Sequence, residues 1–242
     1  MALDYQGIYI LGSGMLLQER KLDLTANNMA NADTVGFKKD LMLVSTWRTS
    51  NNQPYAGMSP EDPAKNFLYP IVERTYTDLS QGVARDTQNP LDFAIEGEGF
   101  FAVRDGQGNV YYTRNGNFRL DKDGYLVNAQ GYRVLSDSLQ EIRIEGQVQA
   151  AKDGTLFVNG NLVARLGVFS LTNPQKVGDT LFVGTAAPAT NYRILQGVLE
   201  NSNVNIIQEM VNLIQAARAH EAYSNLIRSL DSLQEKVNNL PR

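Results

Sequence analysis

The chain has 242 residues, 43% of them hydrophobic, and a formal net charge of −4. That balance, with no basic cluster interleaved with aromatics, gives no electrostatic case for nucleic acid. There is no cysteine, which excludes disulfides and thiolate metal sites, and no run of 18 apolar residues, which excludes a helical membrane span.

Met1-Ala2-Leu3-Asp4-Tyr5 offers no basic segment leading into an apolar core, so a cleaved secretory signal is not expected. Asp4 is placed to cap a first helix. Ile8, Leu11, Met15, Gln18, Leu22, Thr25, Met29 and Ala32 step by three and four, the spacing of a helical seam. Leu16, Leu24 and Ala26 widen that apolar face. Gly12 and Gly14 each weaken the helix by about 1 kcal/mol relative to Ala. Their clustering as Gly12-Ser13-Gly14 inside a regular seam favours close approach of another helix over a tolerated kink. Asn27, Asn28 and Asn31 follow at i, i+3 and i+4 spacings. Asparagine disfavours helices unless its amide finds partners, so these three suit hydrogen bonding between packed helices. Gly36 reads as the stop.

Residues 45–70 lose all periodicity. Pro54, Pro60, Pro63 and Pro70, with Asn51, Asn52 and Gly57, predict an extended or irregular linker. Trp47, Tyr55, Phe67 and Tyr69 predict that part of it docks on a neighbour. A first strand is expected at residues 72–76.

From residue 89 to about 195 the pattern is β. Turn dipeptides recur at Asp105-Gly106, Asn115-Gly116, Asp123-Gly124, Asp153-Gly154 and Asn159-Gly160, and such pairs supply the positive φ of tight hairpins. Short strands flank a Gly97/Gly99 turn, and the longest strand is expected at residues 162–171. An antiparallel domain of meanders or a small barrel follows.

The last forty residues form a second long amphipathic run. Ile206, Met210, Leu213, Ala217, His220, Tyr223, Leu226, Leu230, Leu233, Val237 and Leu240 give a heptad seam, with one phase shift between Ala217 and Leu226. Fully helical, it spans roughly 55 Å. Such a helix needs a partner, and the other end of the chain supplies one.

Candidate chemistry is thin. Asp121-Lys122-Asp123-Gly124 hints at a calcium loop, but Gly falls at position four and Tyr132 at position twelve, so a hairpin turn is expected. Gly97-Glu98-Gly99 fails as a phosphate loop because Ala102 replaces the third glycine and a strand follows. His220, the one histidine, sits on the helical seam and reads as packing. Asp92, Glu96 and Glu98 could serve a glycosidase, and Tyr111, Tyr112 and Tyr125 a sugar-binding face. Solvated turns and ordinary strand aromatics account for both.

Four stretches carry a resemblance. ANNMANADTVGFK at residues 26–38, TQNPLDFAIEGEGFF at 87–101, YTRNGNF at 112–118 and GVLENSNVN at 197–205 resemble, in order, signatures of the flagellar basal-body rod and hook family. The chain resembles the family's shorter rod members rather than the hook protein, which carries large extra domains.

The resemblance implies a structural protein that works without a catalytic residue, metal or cofactor. Its partners would be further copies of itself, other rod and hook subunits and the flagellar export apparatus, with no nucleic acid and no membrane insertion. The fold class expected is α+β: long N- and C-terminal helices packing as a coiled-coil layer, with a central antiparallel β domain. The corresponding divisions are 1–44, 45–71, 72–199 and 200–242. The expected assembly interface comprises Leu11, Met15, Leu22, Asn27, Asn28, Met29, Asn31, Asn201, Asn203, Ile206, Met210, Leu213, Leu226, Leu230, Leu233 and Val237.

Overall fold

A computed structural model describes residues 6–48, 68–178 and 180–238. The fold is α+β, and it divides into two compact units. The helical unit takes residues up to 30, 40–76 and from 205 onward, and the β unit takes 31–39 and 77–204.

The helical unit contains α1 (Gln6–Ala30), β1 (Asp40–Arg48), most of β2 (Leu68–Thr77) and α2 (Ile206–Asn238). Asn205 caps α2: its side-chain oxygen accepts the Gln208 N–H at 3.1 Å, and its carbonyl accepts the Glu209 N–H at 3.0 Å. Glu209 in the first turn and Lys236 in the last complement the helix dipole. The two helices pack on each other, and Gly14 is where they approach. A Cβ there would lie 2.7 Å from the Tyr223 ring, whereas one at Gly12 would meet nothing within 4 Å. The expected close approach is therefore real at Gly14 and absent at Gly12.

The covered face of α2 runs through Glu209, Leu213, Ala216, His220, Tyr223, Ile227 and Leu230. Its steps alternate four and three without interruption, so the expected phase shift disappears. Leu213, His220, Tyr223 and Leu230 of the expected seam lie on this face. Ile206, Met210, Ala217, Leu226 and Leu233 instead lie exposed, together with Ile207, Val211 and Ile214. The Val237 side chain and Leu240 lie outside the described residues. The reason is that α2 has two apolar faces. A reading that follows the strongest hydrophobe at each turn crosses from one to the other, whereas the packed face uses small Ala216 and amphipathic His220 and Tyr223.

On α1, Leu11, Met15, Leu22 and Met29 are half-buried, and Leu16 is exposed. The helix ends at Ala30, before Ala32, and a turn leads to Gly36 at φ +70°. The expected cap Asp4 lies outside the described residues. So do residues 49–67, which carry most of the expected linker, Tyr55 and Phe67 included. Its two ends are strand: β1 continues to Arg48, and β2 begins at Leu68, pairs with β1 and absorbs the strand expected at 72–76.

The β unit contains β3 (Ala84–Asp86), β4 (Phe93–Gly97), β5 (Phe100–Arg104), β6 (Val110–Thr113), β7 (Arg119–Leu120), β8 (Leu126–Val127), β9 (Arg133–Val134) and β10 (Val148–Ala150). It continues with β11 (Thr155–Val158), β12 (Asn161–Arg165), β13 (Val168–Lys176), β14 (Leu181–Pro188), β15 (Tyr192–Gln196) and β16 (Val198–Glu200). The strand pairings among its described residues are all antiparallel. β5, β6, β14 and β13 pair in a closed cycle, because β13 bonds both β14 and β5. Of the two expected forms, meanders or a small barrel, this four-strand cycle corresponds to the second. Phe100, Ala102, Tyr112, Phe169 and Phe182 come from all four cycle strands and pack together with Leu135. Phe101 and Val103, from the other face of β5, join a larger core with Phe93, Ile95, Leu126, Leu156 and Leu166. Burial on both faces explains why β5 reads as an unbroken apolar run.

The strands either side of Gly97 and Gly99 do not pair with each other; β4 bonds β15 instead. The long strand expected at 162–171 is broken. Gly167 lies between β12 and β13, where a side chain would collide with the Ser136 carbonyl.

Candidate functional site

The four signature stretches meet in the β unit at one buried ion cluster. Lys38 closes the first stretch, Arg114 sits in the third and Glu200 in the fourth, and their side chains are 0%, 5% and 1% exposed. Lys38 Nζ donates to Glu200 Oε1 and, at 2.6 Å, to the Ser80 carbonyl. Arg114 Nη1 donates to Glu200 Oε2 at 3.3 Å, and Nη2 donates to the Gly97 carbonyl, in the second stretch, at 2.8 Å. The Gly82 N–H adds a further bond to Glu200 Oε1 at 2.9 Å. Phe100 lies 5.3 Å beneath the Arg114 guanidinium.

One carboxylate thus serves two buried cations. Burial pulls both cations below their ordinary pKa values, and Glu200 opposes it in each case. Arg114 Nε is buried with no hydrogen-bond partner among the described residues. Such a cluster adds little net stability over an apolar core, but removing one partner is costly.

The backbone around the cluster is equally constrained. The Gly36 N–H donates to the Glu200 carbonyl at 2.7 Å. A Cβ on Gly36 would fall 2.4 Å from the Asn115 nitrogen, and one on Gly82 would fall 1.9 Å from the Asn201 carbonyl oxygen. Asn203 bridges the strands: its Oδ1 accepts the Lys39 N–H at 2.8 Å, and its Nδ2 donates to the Asp78 and Ser80 carbonyls at 2.9 and 3.2 Å. The Asn201 N–H donates to the Val83 carbonyl at 2.9 Å. Lys176 reaches the Lys38 carbonyl at 2.9 Å and lies 3.8 Å over the ring of buried Phe37.

The asparagines near the end of α1 have local roles in the single chain. Asn28 is buried. Its amide donates to the Asp40 carbonyl and its oxygen accepts the Asp40 N–H, both at 2.9 Å, so both functions are spent within the chain. Asn31 Oδ1 accepts the Thr34 hydroxyl at 3.1 Å. Asn27 is exposed. Asparagine is favoured here because its amide imitates a peptide group where the helix gives way to a strand.

The acidic cluster does not assemble into a carboxylate pair. Asp92 is buried and accepts bonds from Thr87, Asn89 and Asn117, whereas Glu96 is exposed beside Arg193. Tyr111 stacks on Tyr132, Tyr112 meets Phe169 edge-on, and Tyr125 underlies Arg133. Each of these rings already has a partner. Asp121 accepts the Asp123 and Tyr125 N–H groups and Gly124 lies at φ +82°, which makes that stretch the expected turn. No described helix is long and apolar enough to cross a membrane.

Lys38, Arg114 and Glu200 were not among the residues expected to carry function. The available signal was a charge beside an apolar or β-forming residue in each signature: Phe37-Lys38, Thr113-Arg114 and Leu199-Glu200.

Comparison with known proteins gives three family matches: a flagella basal body rod protein model over residues 8–38, a flagellar hook protein FlgE/F/G D1 domain over 94–158, and a flagellar basal body rod FlgEFG protein C-terminal model over 195–240. The chain is 35% identical over 240 residues to flagellar basal-body rod protein FlgF of Caulobacter vibrioides, covering 95% of each. It is 31% identical to flagellar basal-body rod protein FlgG of Buchnera aphidicola subsp. Schizaphis graminum, covering 96% of this chain and 98% of that protein. To FlgG of Bacillus subtilis it is 31% identical, covering 98% of each.

Proposed function

The chain belongs to the flagellar basal-body rod family, and from that premise we propose that it is a structural subunit of the rod. In this reading, copies self-associate into a helical tube that transmits torque and surrounds the export channel. α1 and α2 form its inner, coiled-coil layer. The subunit leaves the cell through the flagellar export apparatus and works in the cell envelope, beside other rod and hook subunits. It turns over no substrate. Leu11, Met15, Leu22, Ile206, Met210, Leu226 and Leu233 belong to the proposed assembly interface.

One observation carries this reading. Residues of all four signatures, Lys38, Gly97, Arg114 and Glu200, converge on one buried ion cluster that ties distant parts of the β unit together. The exposed apolar stripe of α2 supports it, since such a surface on a long helix needs a cover. The test is complementation of strains lacking either their FlgF or their FlgG protein. Restored motility in one of them, with the protein recovered in purified basal bodies, is the expected result. Failure in both, with the protein expressed, contradicts it.

A further inference from the structure

The helical unit holds a cavity of about 280 Å³ beside the start of α2. Leu41, Met42 and Val44 of β1 give it an apolar wall, and Glu209 and Asn212 line it from α2. Glu209 is only 7% exposed, yet its carboxylate meets no hydrogen-bond donor and no cation among the described residues. Lys21 also lines the cavity but makes no ion pair with Glu209. A carboxylate without a counter-charge on a largely buried residue, at the wall of a cavity, is a ready acceptor for an incoming cation.

The same helix carries a matching surface on another face. Ile207, Val211, Ile214 and Arg218 step by four, three and four, and all are exposed. Arg218 has no partner among the described residues. Three apolar side chains followed by a guanidinium complement an apolar wall with a carboxylate beside it.

We propose that this cavity is a socket for a second copy of the chain: the Ile207–Arg218 stripe of one subunit lies against β1 of the next, and its Arg218 enters to pair with Glu209. The proposal rests on the rod reading and specifies one contact within it. Because stripe and socket are different surfaces, the contact is head-to-tail and extends as an open filament instead of closing as a symmetric dimer.

The test uses the full chain. Glu209→Arg and Arg218→Glu should each weaken self-association, followed by sedimentation, about 30-fold or more. The double swap should regain most of that loss. Glu209→Gln, checked by circular dichroism, separates lost pairing from lost folding. A second readout exploits the absence of native cysteine. Residues 209 and 218 are about 13.5 Å apart along one helix, beyond disulfide reach, so oxidising Glu209→Cys/Arg218→Cys can only join different chains. A ladder of covalent oligomers from the double variant, with at most dimers from each single one, is expected. Undiminished association of both reversals with no ladder overturns the socket and leaves the rod reading standing. A wild-type chain that never associates overturns both.

Discussion

The two units of this chain bury different things. The β unit encloses Phe37, Phe93, Phe101, Phe182, Ile95, Leu126 and Leu135 completely and closes four strands on one another. In the helical unit the buried positions among the described residues are Gly14, Thr25, Asn28, Glu209 and Ala216, all small or polar. Several of its large hydrophobes face outward, with Leu16, Ile207 and Leu233 at 62%, 73% and 56% exposure, and others are only half-buried. Hydrophobic stabilisation follows the apolar area removed from water. On the rod reading proposed above, the first unit is expected to be self-sufficient, and the second to need neighbouring subunits to cover its apolar surface.

The comparison breaks most visibly at the ion cluster. Glu200→Gln leaves Lys38 and Arg114 buried without their counter-charge, and a loss of about 3–5 kcal/mol is expected. Urea unfolding followed by tyrosine signals should show it. Gly36→Ala comes next. It places a Cβ against the Asn115 backbone at a positive φ, which costs about 1–3 kcal/mol, again in the β unit.

How much of this was legible follows the same division. Three of the five turns were readable because Asp-Gly and Asn-Gly act locally: Gly124, Gly154 and Gly160 take the positive φ they imply, whereas Gly106 and Gly116 do not. The antiparallel β domain followed from turn spacing and the family from contiguous motifs. The ion cluster was hidden because Lys38 and Glu200 lie 162 positions apart, and no local rule pairs them. The packed face of α2 was hidden for another reason: a helix built to contact more than one neighbour carries more than one apolar stripe, and sequence alone does not say which is covered first. β1 was lost because its residues 45–48 run into a proline-rich stretch.

Substitutions in the helical unit should act on assembly more than on folding. Leu230→Asp is expected to block incorporation into basal bodies while leaving β-unit stability within about 0.5 kcal/mol of the parent. Normal incorporation would remove Leu230 from the interface. Ile207→Ser, at an exposed site, should change monomer stability by no more than about 0.5 kcal/mol and still reduce sedimenting polymer.

The smallest effect belongs to a surface turn of the β unit. The Thr155 hydroxyl, at 2.8 Å, and then the Thr155 N–H hold the Asp153 carboxyl below its ordinary 3.8. The stability this provides is present above pH 3.8 and is lost as the pH falls through the folded value. Thr155→Val should move the Asp153 titration midpoint upward by NMR, and an unmoved midpoint would remove the hydroxyl from the account.

The central claim is that one unit folds alone and the other waits for neighbours. Ordering a residue costs about 1–2 kcal/mol of backbone entropy, and α1 carries three glycines and two asparagines against a single partner helix. Hydrogen exchange of the dilute monomer tests this directly. Amides of β5, β6, β13 and β14 should be strongly protected, while those of α1 and α2 exchange within seconds and become protected only on assembly. Helices in the dilute monomer protected as well as the barrel strands would contradict the account and make the helical pair an autonomous bundle.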